Sequence, residues 1–272
     1  MTVSPPIRWR MPPLIRVTLL LHAAALAVFL FAPDAWRWAV AAVIANHAVL
    51  TLTGLWPRST WLGENWIELP PSAAARNEIA LTIDDGPDPD VTPRVLDLLD
   101  SHGVRATFFC IGKNAERYPD LCRDIVRRGH AVENHSQRHP HYFSLLGLMG
   151  LTREVQTAQE ALGRITGRRP LFFRAPAGLR NPMLDPVLAR LGLRLAAWTR
   201  RGFDTRTRDP ALVGQRLMRD LRPGAILLVH DGNCARTGAG VPVVLEVLPG
   251  LIQAASNAGL RFVTLADALA RA

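Results

Sequence analysis

The residues able to do chemistry stand in a few short clusters. Asp84-Asp85-Gly86-Pro87 sets two carboxylates side by side at a sharp turn. Adjacent carboxylates at the end of an extended run point in different directions. One can bind a cation while the other moves a proton, and Gly-Pro holds both near the turn. His135-Ser136-Gln137-Arg138-His139 places two imidazoles four residues apart. On one helical turn or in a tight loop they share a face, as two metal ligands require. With one carboxylate they make an Asp/His/His set that leaves positions for water and substrate, which suits hydrolysis and also non-haem iron oxygenases. Arg174-Ala175-Pro176-Ala177-Gly178 offers a guanidinium to keep a carboxylate ionised and a turn whose backbone N–H groups can stabilise an oxyanion. Leu227-Leu228-Val229-His230-Asp231-Gly232 ends an apolar run in a partly desolvated imidazole, suited to general acid work near neutral pH. Asp204 can orient that histidine or cap a turn. Taken singly, each cluster also reads as an ordinary polar turn or loop.

The elements that position these clusters alternate. Short apolar runs at 79–83, 106–111, 131–133, 171–174, 193–198, 225–230 and 261–264 read as buried strands. Helical patterns lie between them at 93–101, 119–128, 153–166, 182–190, 210–221 and 242–258. Thr92-Pro93, Asn181-Pro182 and Asp209-Pro210 each put a capping residue before a first-turn proline. Gly103, Gly129, Gly167 and Gly192 fall where helices should end. Such alternation implies a parallel sheet covered by helices, either an open doubly wound sheet or a barrel. In both, the carboxyl ends of the strands share one face, so topology alone gathers the polar clusters on one rim. Neither a GxGxxG nor a GxxxxGK[ST] follows the first strand, which counts against a dinucleotide or P-loop domain.

The chain has 272 residues, 49% of them hydrophobic and 20% charged, which excludes a mainly disordered protein. The net charge of +9 is almost all arginine, with Lys113 the one lysine. Its spread along the chain, with no basic block beside an aromatic platform, argues against nucleic acid. It fits an arginine-rich protein beside an anionic lipid surface. Three cysteines, Cys110, Cys122 and Cys234, make neither a disulfide framework nor a CxxC site. The apolar content is concentrated near the N-terminus, at 17–32 and 38–56. A spanning helix needs about 20 apolar residues. Trp9, Trp36, Trp38, Trp56 and Trp61 lie at or near the ends of these runs, where an interfacial belt would place them. We therefore expect membrane-associated helices over 1–57, a linker rich in Pro, Ser and Ala over 58–77, and a catalytic domain over 78–272. A cleaved signal and a soluble hairpin are the competing readings. Arg8, Arg10 and Arg16 precede the first run, so positive-inside logic puts the N-terminus in the cytoplasm. The expected location is a bacterial inner membrane, with the side of the catalytic domain left open.

The order Asp-Asp, His…His, Arg-x-Pro, Asp and His resembles the polysaccharide deacetylase family, the NodB-homology domains of the family-four carbohydrate esterases. Leu81-Thr82-Ile83-Asp84-Asp85-Gly86-Pro87 is similar to the first motif of that family, and Asn134-His135-Ser136-Gln137-Arg138-His139-Pro140 to the second. Ala106-Thr107-Phe108-Phe109 matches the strand between them. The resemblance runs from about 78 to 270. It implies a distorted (β/α) barrel, often of seven strands, here preceded by an apolar helical hairpin. It implies Asp84 as general base, Asp85, His135 and His139 as metal ligands, Arg174 as partner of Asp84, and His230 as general acid. Pro176, Ala177, Gly178, Trp198, Phe203 and Leu227 would line the substrate and oxyanion positions. The third motif usually has an aromatic residue where Ala177 stands. The fourth usually ends in Asp-x-x-Trp or Asp-Trp, where this chain reads from Trp198 to Thr205 with Asp204 followed by threonine. The implied activity is metal-dependent removal of N-acetyl groups from an amino-sugar glycan. Zn2+ is the expected ion, and Co2+, Ni2+ or Mn2+ can replace it. The expected partners are an N-acetylated glycan and membrane lipid, with no nucleic acid and no obligate protein partner. The rivals are an inactive glycan-binding membrane protein and an iron oxygenase.

Overall fold

A computed structural model describes residues 7–219 and 221–272. The first six residues of the expected N-terminal region, and residue 220 within the expected helix 210–221, lie outside the described residues. Two helices come first, α1 (Pro13–Phe31) and α2 (Trp36–Leu55), packed against each other across a short turn. Both are long and apolar enough to cross a membrane. Their side chains do not fill a core: Leu20, Leu30, Phe31 and Trp38 are between 65% and 84% exposed. A helix that is apolar all round belongs in a large core or in a bilayer. The polar residues of the pair face each other instead. The Thr18 hydroxyl lies 3.2 Å from Asn46 Oδ1, and the Nε2 atoms of His22 and His47 are 3.2 Å apart.

The rest of the chain alternates. It runs α3 (Pro71–Ala75), β1 (Glu78–Asp84), α4 (Thr92–Ser101), β2 (Thr107–Cys110), α5 (Gly112–Arg117), α6 (Pro119–Arg127) and β3 (Ala131–Asn134). It continues α7 (Leu148–Thr166), β4 (Phe172–Phe173), α8 (Leu184–Leu191), β5 (Arg194–Leu195), β6 (Arg200–Arg201), α9 (Pro210–Met218) and β7 (Ile226–His230). α10 (Val243–Asn257), β8 (Arg261–Phe262) and α11 (Leu265–Ala270) close it. Seven parallel strands lie in the order β5-β4-β3-β2-β1-β7-β6, curved into a half-barrel, and β8 pairs with the start of β1. This is the distorted (β/α) barrel with an apolar hairpin that the sequence implies. Every residue of β1 and β7 is buried, because both faces of the central strands are covered, one by helices and one by the barrel interior.

Three details depart from expectation. The two-residue strand β6 carries no apolar signal, since both of its residues are arginine. The strand expected at 261–264 shrinks to β8 and stands off the main path. The stretch expected as linker is built into the barrel. Among the described residues, no ladder joins β5 to β6, and residues 66–69 cross that gap. Trp66 N–H donates to Leu195, Ala197 N–H donates to Trp66, and Leu69 N–H donates to Gly224. Leu62, Leu69 and Ala73 are buried. A strap that closes an open edge has the composition of a linker, because its job is backbone pairing and a few apolar plugs rather than a periodic face.

Of the three expected caps, Asp209 accepts from the N–H groups of Ala211 and Leu212. Asn181 instead forms a turn before α8, accepting from Met183 N–H, and Thr92 turns its hydroxyl toward Asp231. The four glycines expected at helix ends all adopt positive φ, between 64° and 86°.

Candidate active site

The register places Asp84 opposite His230 on β7 and opposite Phe109 on β2, while Asn134 pairs with Phe173. The carboxyl ends of β1, β3, β4 and β7 therefore meet at one rim. Three side chains from two of those ends form a compact group. The ligand atoms of Asp85, His135 and His139 lie within 4.8 Å of one another. Asp85 Oδ1 is 3.2 Å from His135 Nε2 and 3.4 Å from His139 Nε2.

The backbone is bent to achieve this. Asp85, Ser136 and His139 have φ of 74°, 63° and 53°, a left-handed region that non-glycine residues enter at a cost of roughly 1–3 kcal/mol each. Surrounding bonds hold them there. Asn114 Nδ2 donates to the Asp85 carbonyl, His139 N–H donates to Ser136 Oγ, and Ser136 N–H donates to Asn134 Oδ1. Gly86 is required by space, since a Cβ there would lie 2.3 Å from the Asp231 carboxylate.

His135 is oriented by its far nitrogen. Nδ1 lies 2.8 Å from the Arg174 carbonyl, which can only accept, so Nδ1 carries the hydrogen and Nε2 is turned to the cluster. Burial lowers the His139 pKa to about 4, helped by the neighbouring His135 charge, so this imidazole is a neutral ligand at pH 7. Burial would raise the Asp85 carboxyl, but the charge of the neighbouring imidazoles, His135 above all, outweighs it and holds Asp85 well below the usual range. Asp85 Oδ1 is buried with no hydrogen-bond partner, an arrangement that costs about 1–3 kcal/mol or more unless a cation satisfies it. One carboxylate and two imidazoles facing a shared point, with an unsatisfied oxygen among them, fit a divalent metal of the zinc class.

The second half of the site is complete within the chain. Arg174 is fully buried, and its guanidinium donates to Asp84 Oδ1 at 2.7 Å, to Thr82 Oγ1 at 2.8 Å, and to the carbonyls of Ala196 and Ala197. It stacks over Phe109 at 4.2 Å. Asp84 Oδ2 is left facing the cluster, 3.9 Å from His135 Nε2. Across the rim, Asp204 grips His230 twice, accepting from its backbone N–H at 2.7 Å and from Nδ1 at 2.9 Å. Burial alone would lower the His230 pKa, but the Asp204 charge and hydrogen bond overcome it and raise it to about 9. His230 is therefore protonated at neutral pH, with Nε2 the nitrogen left to act.

The structure brings Asp84, Asp85, His135, His139, Arg174, Asp204 and His230 together. Ala177 is exposed at the rim with φ 53°, while Pro176 and Gly178 are buried beneath it. Gly178 admits no side chain, because a Cβ would lie 2.6 Å from both Trp198 Cη2 and Pro57. Trp198 is thus a buried wall, and Phe203 is 44% exposed at the edge. Leu227 is a correction. It is fully buried in the main core, three residues before His230 and so roughly 10 Å down the strand, and does not reach the rim. Sequence reading missed Thr82, Asn114, Ser136 and Asn233. Asn233 has φ 55° and donates to Asp85 Oδ2 at 3.2 Å. Only its place two residues after Asp231, in a Gly-Asn turn, could have marked it.

Comparison with known proteins identifies the family. The polysaccharide deacetylase family model matches residues 72–196. A chitooligosaccharide deacetylase of Azorhizobium caulinodans is 35% identical over 158 residues, covering 58% of this chain and 75% of the relative. A solved peptidoglycan N-acetylglucosamine deacetylase is similar at TM-score 0.67 and 28% identity, covering 74% of this chain and 90% of that one. A mutant CE4 family pseudoenzyme with restored enzymatic activity is similar at TM-score 0.64 and 26% identity, covering 71% of this chain and 67% of that one. The chain belongs to the polysaccharide deacetylase family. The pseudoenzyme relative shows that the fold is not sufficient for turnover, so the side chains at the rim must carry the functional argument.

Proposed function

We propose that this protein is a divalent-metal-dependent hydrolase that removes N-acetyl groups from amino-sugar residues of an envelope glycan and releases acetate. The observation that carries it is the meeting, on one rim, of an unsatisfied Asp/His/His cluster with a free carboxylate oxygen on one side and a protonated imidazole on the other. A relative acting on chitooligosaccharide and one acting on peptidoglycan support the substrate class.

Asp85, His135 and His139 would hold the metal, which supplies Lewis acidity toward a water and the acetyl carbonyl. Asp84 Oδ2 takes the proton of the attacking water, while Arg174 fixes Oδ1 and keeps the carboxylate oriented. The Ala177 N–H would donate to the oxygen on which negative charge develops. His230 gives its Nε2 proton to the departing nitrogen, and Asp204 stabilises the imidazolium until then. Zn2+ fits the ligand set, and the pair of proton-handling residues fits hydrolysis better than oxygenation. Acetate release from chitooligosaccharide and from peptidoglycan strands, with and without chelator, tests the proposal. Turnover insensitive to a chelator that strips the metal would refute the metal step.

The apolar hairpin anchors the enzyme to a membrane in this reading. Both of its ends rest on the catalytic domain. Trp9 Nε1 donates to Asp185 at 2.8 Å, and Arg180 N–H donates to the Gly54 carbonyl at 3.1 Å. The N-terminus and the catalytic domain then share one side of the bilayer. Reporter fusions at the two termini should agree; opposite signals would remove the hairpin topology.

A further inference from the structure

The end of β6 holds a cation that the deacetylation chemistry does not use. Arg201 lies between two rings, its guanidinium carbon 5.3 Å from the centre of Trp198 and 4.4 Å from that of Phe203. Its Nε is buried and, among the described residues, has no hydrogen-bond partner. Arg201 is half-buried, and a guanidinium with a buried Nε is normally spent on a carboxylate or carbonyl, as the fully buried Arg174 is.

The backbone works to create this arrangement. Phe203 has φ 61°, a costly conformation for a bulky residue. It is held by Arg206 and Thr207 N–H groups donating to the Phe203 carbonyl, and by Arg216 donating to the Gly202 carbonyl. Gly202 has no room for a side chain, since a Cβ would lie 2.6 Å from Val213. Arg216 reaches the outer side of the Phe203 ring, 5.5 Å from its centre. Trp198 also walls the catalytic turn, through its contact with Gly178, so the stacked arginine stands beside the reacting position rather than elsewhere on the surface.

Charge balance indicates what the arginine is for. The carboxylates of Asp84, Asp85 and Asp204 reach Arg201, and burial outweighs them to lower its pKa. Arg174 and the divalent cation that the cluster fits would already offset those three carboxylates. Arg201 is surplus to them, and Arg206, on the loop that follows β6, adds a further exposed charge.

We infer that Arg201, clamped between Trp198 and Phe203, forms a subsite for an anionic oxygen group, a phosphate or a carboxylate, carried by the glycan next to the N-acetyl group that is removed. Planar guanidinium forks bind such groups bidentately, and stacking between rings orients the fork in advance. The inference deepens the N-deacetylase reading and rests on it for the identity of the glycan.

The test uses the full chain in detergent micelles and isothermal titration calorimetry. The probes are N-acetylglucosamine 1-phosphate, N-acetylmuramic acid, and neutral methyl N-acetylglucosaminide, each titrated with the divalent cation present and after chelation. At least one anionic sugar should bind roughly ten-fold or more tighter than the neutral one. Arg201→Gln should bring the ratio close to one, and Arg201→Lys should restore part of it. The anionic probe that is favoured identifies the source, a sugar phosphate or a lactyl carboxylate. Equal binding of all three sugars by the wild type, or a ratio untouched by Arg201→Gln, overturns the subsite. Discrimination without acetate release from any glycan would instead sink the deacetylase reading and leave the anion site standing. Acetate release from neutral chitooligosaccharide without anion preference would do the reverse.

Discussion

The two halves of the site are built on opposite principles. Asp84 with Arg174, and His230 with Asp204, are closed pairs whose hydrogen bonds and charges are met by other residues of the chain. Asp85, His135 and His139 are an open group, held in left-handed backbone conformations with a buried carboxylate oxygen unmet. Proton-handling groups need a fixed orientation and a defined protonation state, which the chain can supply itself. A metal position needs donors that are arranged but unspent, which is how these three side chains stand.

Changes in each half should therefore fail differently. The largest effect is expected from Asp84→Asn, which removes the proposed base while leaving the cluster. Acetate release should fall by about 10²–10⁴-fold, and metal content measured by elemental analysis should stay at the wild-type level. Loss of the metal together with activity would place Asp84 in the open half instead. Arg174→Ala should damage the fold itself, because it strands a buried carboxylate. Denaturant unfolding should show a loss of about 3–5 kcal/mol. A loss below about 1 kcal/mol would mean that the pair is not closed.

The open half predicts a gain rather than a loss. At a free Zn2+ concentration 100 times the dissociation constant, stabilisation is about 2.7 kcal/mol, or roughly 5–10 °C in melting temperature. Asp85→Asn should abolish the shift, whereas Asp204→Asn should keep it. The smallest effect is a titration. In chelated protein, NMR should find the His230 imidazole titrating near pH 9, as its raised pKa indicates. Asp204→Asn should bring it down toward the ordinary 6.5. Because the folded pKa is raised, the ion pair stabilises the protein fully below about pH 6.5, and that contribution is lost as pH rises through about 9. A His230 pKa unchanged in Asp204→Asn would break the assignment of the pair.

Much of this was legible in the residue order. Most strand positions, the helix ends at glycines and the seven candidate residues of the two halves follow from apolar runs, turn chemistry and motif spacing, whereas β6 left no apolar signal. Asp204 was ambiguous because an Asp-Thr step caps turns as readily as it holds a histidine; only the approach of its loop to β7 distinguishes the two. Leu227 was misplaced because motif membership does not say how far down a strand a residue lies. The strap at 66–69 was read as linker because its pairing partners, Leu195 and Gly224, are more than 120 residues away in the chain.

The sequence by itself determined which groups can bind metal and move protons, that parallel strands would gather them, and that two apolar segments precede them. These depend on composition, periodicity and local backbone preference. The tertiary structure decided which carboxylate is satisfied and which is not, that His230 is charged at neutral pH, and that Arg201 is held against two rings with its Nε unpartnered among the described residues. Those properties depend on burial and on partners distant in sequence, since desolvation and pairing energies are fixed only when the chain has closed around each group.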